Sequence, residues 1–202
     1  MYLAKLSRLL LSFIMVLFFA IPSLVNAGEL TDRIKRATDR LIAIVTDPEL
    51  QSLEMEYKRN IMIREAVDEI FDWEAFSQRA MARHWRKLSK SEKEEFIHLF
   101  GQLLERTYMD KTRRYSGEKM IFLNETIEEK YGIVEAKVIT KDGTEIPVIY
   151  SAFNKQSGWF IYDVYVAGIS LVNNYRVQFN DIITRSSYKE LKARLKSKLE
   201  EK

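Results

Sequence analysis

Asp163 is the residue whose type and setting most invite chemistry, because it places a carboxylate inside the apolar run from Trp159 to Val166. A carboxylate in such a run must be neutral, paired or near solvent. One reading is structural, a hydrogen bond or an ion pair with Arg176 on the following helix. The other is chemical, a general base in a pocket on a curved sheet. Nothing else in the chain completes such a site. His84 and His98 are the only histidines and fall on separate helical segments, where each reads as a surface or packing residue. No carboxylate cluster recurs at metal-ligand spacing. Ser170 lacks the Gly-x-Ser-x-Gly setting of a nucleophile elbow and instead suits the cap of a helix beginning at Leu171. The residues therefore assign no catalytic group, no metal site and no cofactor.

The elements that position these residues follow from apolar spacing. Leu30, Ile34, Leu41, Ile44 and Val45 recur near helical intervals, and Asp47-Pro48 ends that helix while capping the next. Leu50, Leu53, Tyr57, Ile61, Val67 and Ile70 carry a second stripe, and Asp72 suits the cap of a short third helix holding Trp73 and Phe76. Ser89 and Glu92 form a capping box, after which Phe96, Leu99, Phe100, Leu103, Leu104 and Tyr108 line one face of a helix. After Gly117 the period changes. Residues 120–128, 133–140, 145–153 and 159–166 read as four strands in an antiparallel meander, with Asp142-Gly143 at a tight turn. Val134, Ala136 and Val138 alternate with Glu135 and Lys137, one face dry and one wet. Residues 146–150 and 159–166 are apolar on both parities apart from Asp163, so they are covered on both sides or face a cavity. Helices from Leu171 to about Arg185 and from Tyr188 to about Leu199 close the chain, making the fold class α+β.

Residues 1–27 read as an export signal: Lys5 and Arg8, an apolar stretch from Leu9 to Ala20, a break at Pro22, and small residues at Val25 and Ala27. The stretch is shorter than the ~20 residues of a membrane span. Cleavage leaves Gly28 first and 175 residues in residues 28–202, a length that fits one domain with its own core. Without Lys5 and Arg8 the formal charge falls from +3 to +1, which gives no sign of a polyanionic partner, and export argues against nucleic acid. The chain has no cysteine, so no disulfide and no lipid-modified cysteine is available and packing must hold the fold.

Two blocks resemble a known family. Trp159, Tyr162, Asp163, Val164, Val166, Gly168, Ile169 and Ser170, followed by Asn174, Tyr175, Arg176, Gln178 and Phe179, stand in the order of the closing strand and helix of the MlaC family. Trp85, Arg86, Leu88, Ser89, Phe96, Phe100, Leu103, Leu104, Tyr108, Tyr115 and Gly117 resemble its middle segment. The resemblance runs from about Phe71 to Leu195. Ala167 departs from the family's usual Glu, and Met81-Ala82 from its usual Leu-Gly pair. MlaC proteins, also called the toluene-tolerance family, are periplasmic phospholipid carriers of the Mla lipid-transport system. The resemblance implies helices packed on a curved four-stranded antiparallel sheet, with an apolar cavity between the layers. It also implies periplasmic location, no reaction of its own, and phospholipid as cargo rather than cofactor. The implied partners are an inner-membrane MCE-domain protein with its ABC transporter and an outer-membrane lipoprotein–porin complex, with the carrier itself a monomer.

Apolar periodicity is equally compatible with a filled core and a hollow one. The resemblance tips the reading toward a lipid pocket lined by Phe100, Leu104, Tyr108, Val148, Tyr150, Tyr162, Val164, Val166, Ile169, Val172 and Tyr175, with Ala167 and Gly168 as a hinge. Lys189, Lys192, Arg194, Lys196 and Lys198 read as a solvated helix face or as a surface for anionic lipid or an acidic partner. Two rival readings stand beside the carrier: a small curved-sheet pocket enzyme using Asp163, and an interaction module that holds no lipid.

Overall fold

Helix α1, Glu29–Thr46, ends where Asp47 turns extended and accepts a hydrogen bond from the Glu49 amide. The expected second helix is delayed. Short 3-10 turns at Pro48–Leu50 and Leu53–Met55 intervene before α2, Glu56–Asp68. Asp72 caps α3, Trp73–Met81, by accepting from the Ala75 amide at 2.8 Å. A 3-10 segment, Ala82–Lys87, leads to α4, Lys90–Thr112. The capping box closes as expected: the Ser89 amide donates to Glu92 at 2.8 Å and the Glu92 amide to Ser89 Oγ at 3.3 Å. These bonds hold the Glu92 carboxyl below its ordinary range. The computed structural model describes residues 28–112 and 115–200, so the export signal read in residues 1–27 lies outside the described residues.

The four expected strands are β1 (Lys119–Glu128), β2 (Tyr131–Ile139), β3 (Glu145–Lys155) and β4 (Gly158–Val166). A two-residue strand, β5 (Ile169–Ser170), pairs with β4 and brings the antiparallel sheet to five, in the order β1-β2-β3-β4-β5. Helices α5, Leu171–Arg185, and α6, Tyr188–Glu200, follow. Bulges between Phe122 and Asn124 and opposite Ser151–Ala152 bend the sheet, since an unpaired residue increases local twist.

One face of the sheet carries Val134, Val148, Ala152, Trp159, Ile161 and Val164, covered by Leu30, Ile34 and Ala37 of α1. We call this the inner face. Glu125 of β1 ties α1 to it by accepting from the Thr31 amide at 2.7 Å and from its hydroxyl at 2.5 Å. Gly132 permits the close approach: a Cβ there would lie 2.5 Å from Leu30 Cδ2. A second cluster fills the space among α3, α4, α5 and α6, with Phe76, Phe96, Phe100 and Phe179 at its centre.

Charge braces the outer helices. Lys192 and Lys196 of α6 reach Glu95 of α4 at 3.0 and 2.8 Å, and Lys196 followed by Lys192 holds that carboxyl below its ordinary range. Arg194 pairs with Glu190 at 2.7 Å, so much of the basic face of α6 is engaged within the protein.

Ala82, at the end of α3, has φ 45° and ψ −122°, a region costly for any residue with a Cβ. Ala82→Gly is expected to stabilise the protein by about 1 kcal/mol, because glycine relieves the strain at a smaller entropic cost. Thermal unfolding of the two proteins checks it; an equal or lower melting temperature in the glycine variant would contradict it.

Candidate functional site

The two apolar clusters meet at Leu171, which packs against both. On the sheet wall, Phe122, Val138 and Tyr150 pack on the cluster yet remain partly exposed. On the helical wall, Leu171 and Tyr175 do the same. Apolar side chains at a seam between layers, neither fully buried nor surface residues, are those that an apolar guest would cover.

Two tyrosine hydroxyls on these walls are shielded from water. The Tyr150 hydroxyl has Met120 Sδ at 3.5 Å, and desolvation pushes its pKa up to about 12. The Tyr175 hydroxyl is also pushed above its ordinary value by burial, against a smaller opposing effect of its bond with Thr107. Met120 and Leu171 are not among the pocket residues that the resemblance implies. Leu171 is recognisable afterwards as the first apolar residue of a capped helix, but its contact with both layers is tertiary.

The structure distributes the assigned pocket residues in three ways. Val148, Tyr150 and Val164 belong to or pack on the sheet-side cluster, and Phe100, Leu104, Val172 and Tyr175 belong to or pack on the helical cluster. Phe100 is completely buried among rings, with Tyr175 at 4.9 Å and Phe179 at 5.0 Å between centroids. Tyr162 faces away from the seam, while Val166 and Ile169 stand in register with inner-face Val148. Tyr162 is the unpaired residue of the β4 bulge, which lets Ile161 and Val164 both face inward and turns Tyr162 toward Phe153 on the other face. There the guanidinium of Arg79 lies 4.0 Å above its ring. Val166 and Ile169 flank the β4–β5 turn and are 39% and 62% exposed. The side chain of Tyr108 lies outside the described residues. The bulge also accounts in part for the apolar character of β4 on both parities, which the sequence alone assigns to coverage on both sides or to a cavity on one.

Asp163, 6% exposed, is a structural anchor and not a partner of Arg176. Its Oδ1 accepts from the Val164 and Val172 amides at 2.8 and 3.0 Å, and its Oδ2 from the Ser170 hydroxyl at 2.6 Å. Ser170 Oγ in turn accepts from the Asn173 amide at 2.9 Å, as expected of a cap. The carboxylate therefore satisfies the first turn of α5, where helix geometry leaves amides without partners and favours negative charge. Arg176 instead donates to the Arg79 carbonyl at 3.0 Å, joining α5 to α3. Ala167 and Gly168 form the β4–β5 turn with φ 50° and 80°, both in the left-handed region of primed hairpin turns, and the Ala167 amide donates to the Pro147 carbonyl at 2.9 Å.

Two surface grooves lie away from the seam. One of about 440 Å³ includes Arg79, Lys130, Tyr131, Phe153 and Lys155. The other, of about 540 Å³, lies between the Ala82–Lys87 segment and the α5–α6 junction. Among the described residues no group of three or more metal-ligating side chains is present, and no helix is long and apolar enough to cross a membrane. His84 Nε2 lies 3.0 Å from Asn180 Oδ1, and His98 is exposed on α4.

Comparison with known proteins agrees with this architecture. The family model described as MlaC protein matches residues 35–197. The intermembrane phospholipid transport system binding protein MlaC of Haemophilus influenzae is 20% identical over 171 residues, which is 82% of this chain and 79% of that protein. The structure of a phospholipid-binding protein from Ralstonia solanacearum, in complex with a phospholipid, superposes with a TM-score of 0.76 at 22% identity. That match covers 86% of this chain and 98% of the other, and it shows the fold.

Proposed function

This chain belongs to the MlaC family, and from that premise we propose that it is a periplasmic phospholipid carrier holding acyl chains at the seam between its sheet and its helices. The observation that carries the reading is the pair of partly exposed apolar walls meeting at Leu171, with the hydroxyls of Tyr150 and Tyr175 in dry surroundings. Transport of phospholipid between membranes is named for the Haemophilus relative, and phospholipid is bound in the Ralstonia structure.

The physical requirement is severe. Each methylene exposed to water costs ~0.8 kcal/mol, so moving a two-chain lipid unaided costs tens of kcal/mol. A dry protein seam replaces one apolar solvent by another, so transfer runs near balance and its direction falls to the partners. Those partners are an inner-membrane MCE-domain protein with its ABC transporter and an outer-membrane lipoprotein–porin complex. The carrier works as a monomer after residues 1–27 are removed, performs no reaction and needs no metal or nucleotide.

Protein recovered from bacteria is expected to carry phospholipid by native mass spectrometry and lipid extraction. Tyr150→Glu is expected to empty it by placing a charge in dry surroundings. The informative result is lost lipid with circular dichroism and melting cooperativity retained; lipid-free wild-type protein in repeated preparations would sink the proposal.

Exchange uses the Ala167–Gly168 turn as hinge, with the bonds from Asp163 to Ser170 and Val172 as the latch across it. Proline cannot stand at Gly168, whose φ is 80°, so the hinge is tested at the latch instead. Ser170→Ala, which removes one latch bond and the cap, is expected to quicken transfer of fluorescent phospholipid to acceptor liposomes several-fold. Unchanged transfer in folded protein would remove this hinge.

A further inference from the structure

The groove of about 540 Å³ beside the Ala82–Lys87 segment has a composition suited to a partner. Its apolar part comprises Leu88, Ile183 and Tyr188. The Tyr188 hydroxyl is occupied, donating to the Glu92 carbonyl at 3.1 Å, so the ring is what the residue has to offer. Arg83, His84 and Lys87 supply the basic part, and no carboxylate lines the groove. Arg83 Nη2 and His84 Nε2 converge on Asn180 Oδ1 at 2.7 and 3.0 Å, which fixes both side chains against α5. On the flanking helix ends, Asp181 and Glu190 are already paired with Arg185 and Arg194 at 2.7 Å. The backbone strain at Ala82 stands at the start of this same segment, where the chain leaves α3 to form one side of the groove.

We propose that this groove is a docking site for a partner protein, and that its occupant is a protruding segment that sets a carboxylate beside an apolar side chain. The apolar side chain would cover Leu88 and Ile183 while the carboxylate meets Lys87 and Arg83, an anchor beside a charge that selects for it. A concave groove favours a protruding segment over a lipid surface, which is broad and cannot fill it. The site lies about 18 Å along α5 from Leu171 at 1.5 Å per residue, so an occupant would leave the seam free. The inference rests on the carrier reading only in supposing that the protein meets protein partners.

The test titrates the mature, folded chain with a short helical peptide carrying glutamates either side of a leucine, and with its glutamine and lysine counterparts. Fluorescence anisotropy reads affinity, amide chemical shifts read location, and vesicles of phosphatidylglycerol form a separate arm. The acidic peptide is expected to bind at least ten-fold more tightly than the glutamine version, about 1.4 kcal/mol, with shifts centred on Ile183 and Tyr188. Lys87→Glu, an exposed change, is expected to remove that preference while melting temperature and bound lipid stay unchanged; Arg83→Gln provides a second, milder loss. Equal binding of the three peptides, no binding, or shifts elsewhere would overturn the proposal. Vesicle binding lost in Lys87→Glu, with the peptide arm silent, would overturn it in favour of a membrane surface. Bound lipid is measured separately, so failure here leaves the carrier reading standing, and lipid-free protein would not touch this groove.

Discussion

Phe100→Ala is expected to lower the stability of the folded protein by about 4 kcal/mol, the range for removing a fully buried aromatic ring. Phe100 has no exposed surface, and the rings of Phe76, Phe96, Tyr175 and Phe179 stand 4.9 to 5.6 Å from it. Such a site collapses poorly, because each neighbouring ring is also held by others. The melting temperature should fall by roughly 10 °C for a domain of this length. Phe100→Leu, which keeps most of the volume, should cost about 1.5 kcal/mol and leave the lipid-to-protein ratio unchanged. Thermal melts with lipid extraction check both. A lipid ratio that collapses in the leucine variant at near-normal stability would make Phe100 part of the lipid-facing wall and not of the filled core.

Asp163→Ala is expected to cost about 3 kcal/mol, because charge-assisted bonds to two amides and a hydroxyl vanish and leave buried donors unsatisfied. The donors are Val164, Val172 and Ser170. Asp163→Asn should cost about half as much, since an amide oxygen still accepts from the Val164 and Val172 amides. Denaturant unfolding measures the pair, and hydrogen exchange at Val172 and Asn173 reports whether the first turn of α5 is what loosens. A normal melt in both variants would refute the anchor. A hydrolase or isomerase activity abolished by the asparagine change alone would instead support the pocket-enzyme reading.

The parts legible in the sequence were those set by near neighbours. Asp72, Ser89 with Glu92, and Ser170 each cap a helix within three residues, so residue type and spacing sufficed. The four strands were legible because period and turn residues changed together after Gly117. The delayed start of α2 was not, since the apolar stripe runs through Leu50 and Leu53 without recording that the backbone there makes 3-10 turns. The β4 bulge was hidden for a related reason: alternation assigns Tyr162, Val164 and Val166 to one face, and only pairing with β3 shows that one residue is unmatched. Asp163 and Arg176 have opposite charges and lie near in sequence, which suggested an ion pair. The Val164 and Val172 amides, the Ser170 hydroxyl and the carbonyl of Arg79 proved the better partners, and the last comes from a helix about a hundred positions earlier. At the candidate site, the walls were legible as apolar residues, whereas their meeting at Leu171 depends on how two layers pack.

Every strand of the sheet pairs with its neighbour in sequence, but the helix covering the inner face is bound to β1 across 94 positions. Closing a short loop costs less entropy than closing a long one, so hairpins gain their contacts before a distant helix gains its own. The expected order of assembly is therefore inverted with respect to the chain. The first helix among the described residues is the last to be used, and Val134, Ala152 and Ile161 remain bare until it returns. With no cysteine to fix an early arrangement, this interval is when the protein is most open to association with other chains.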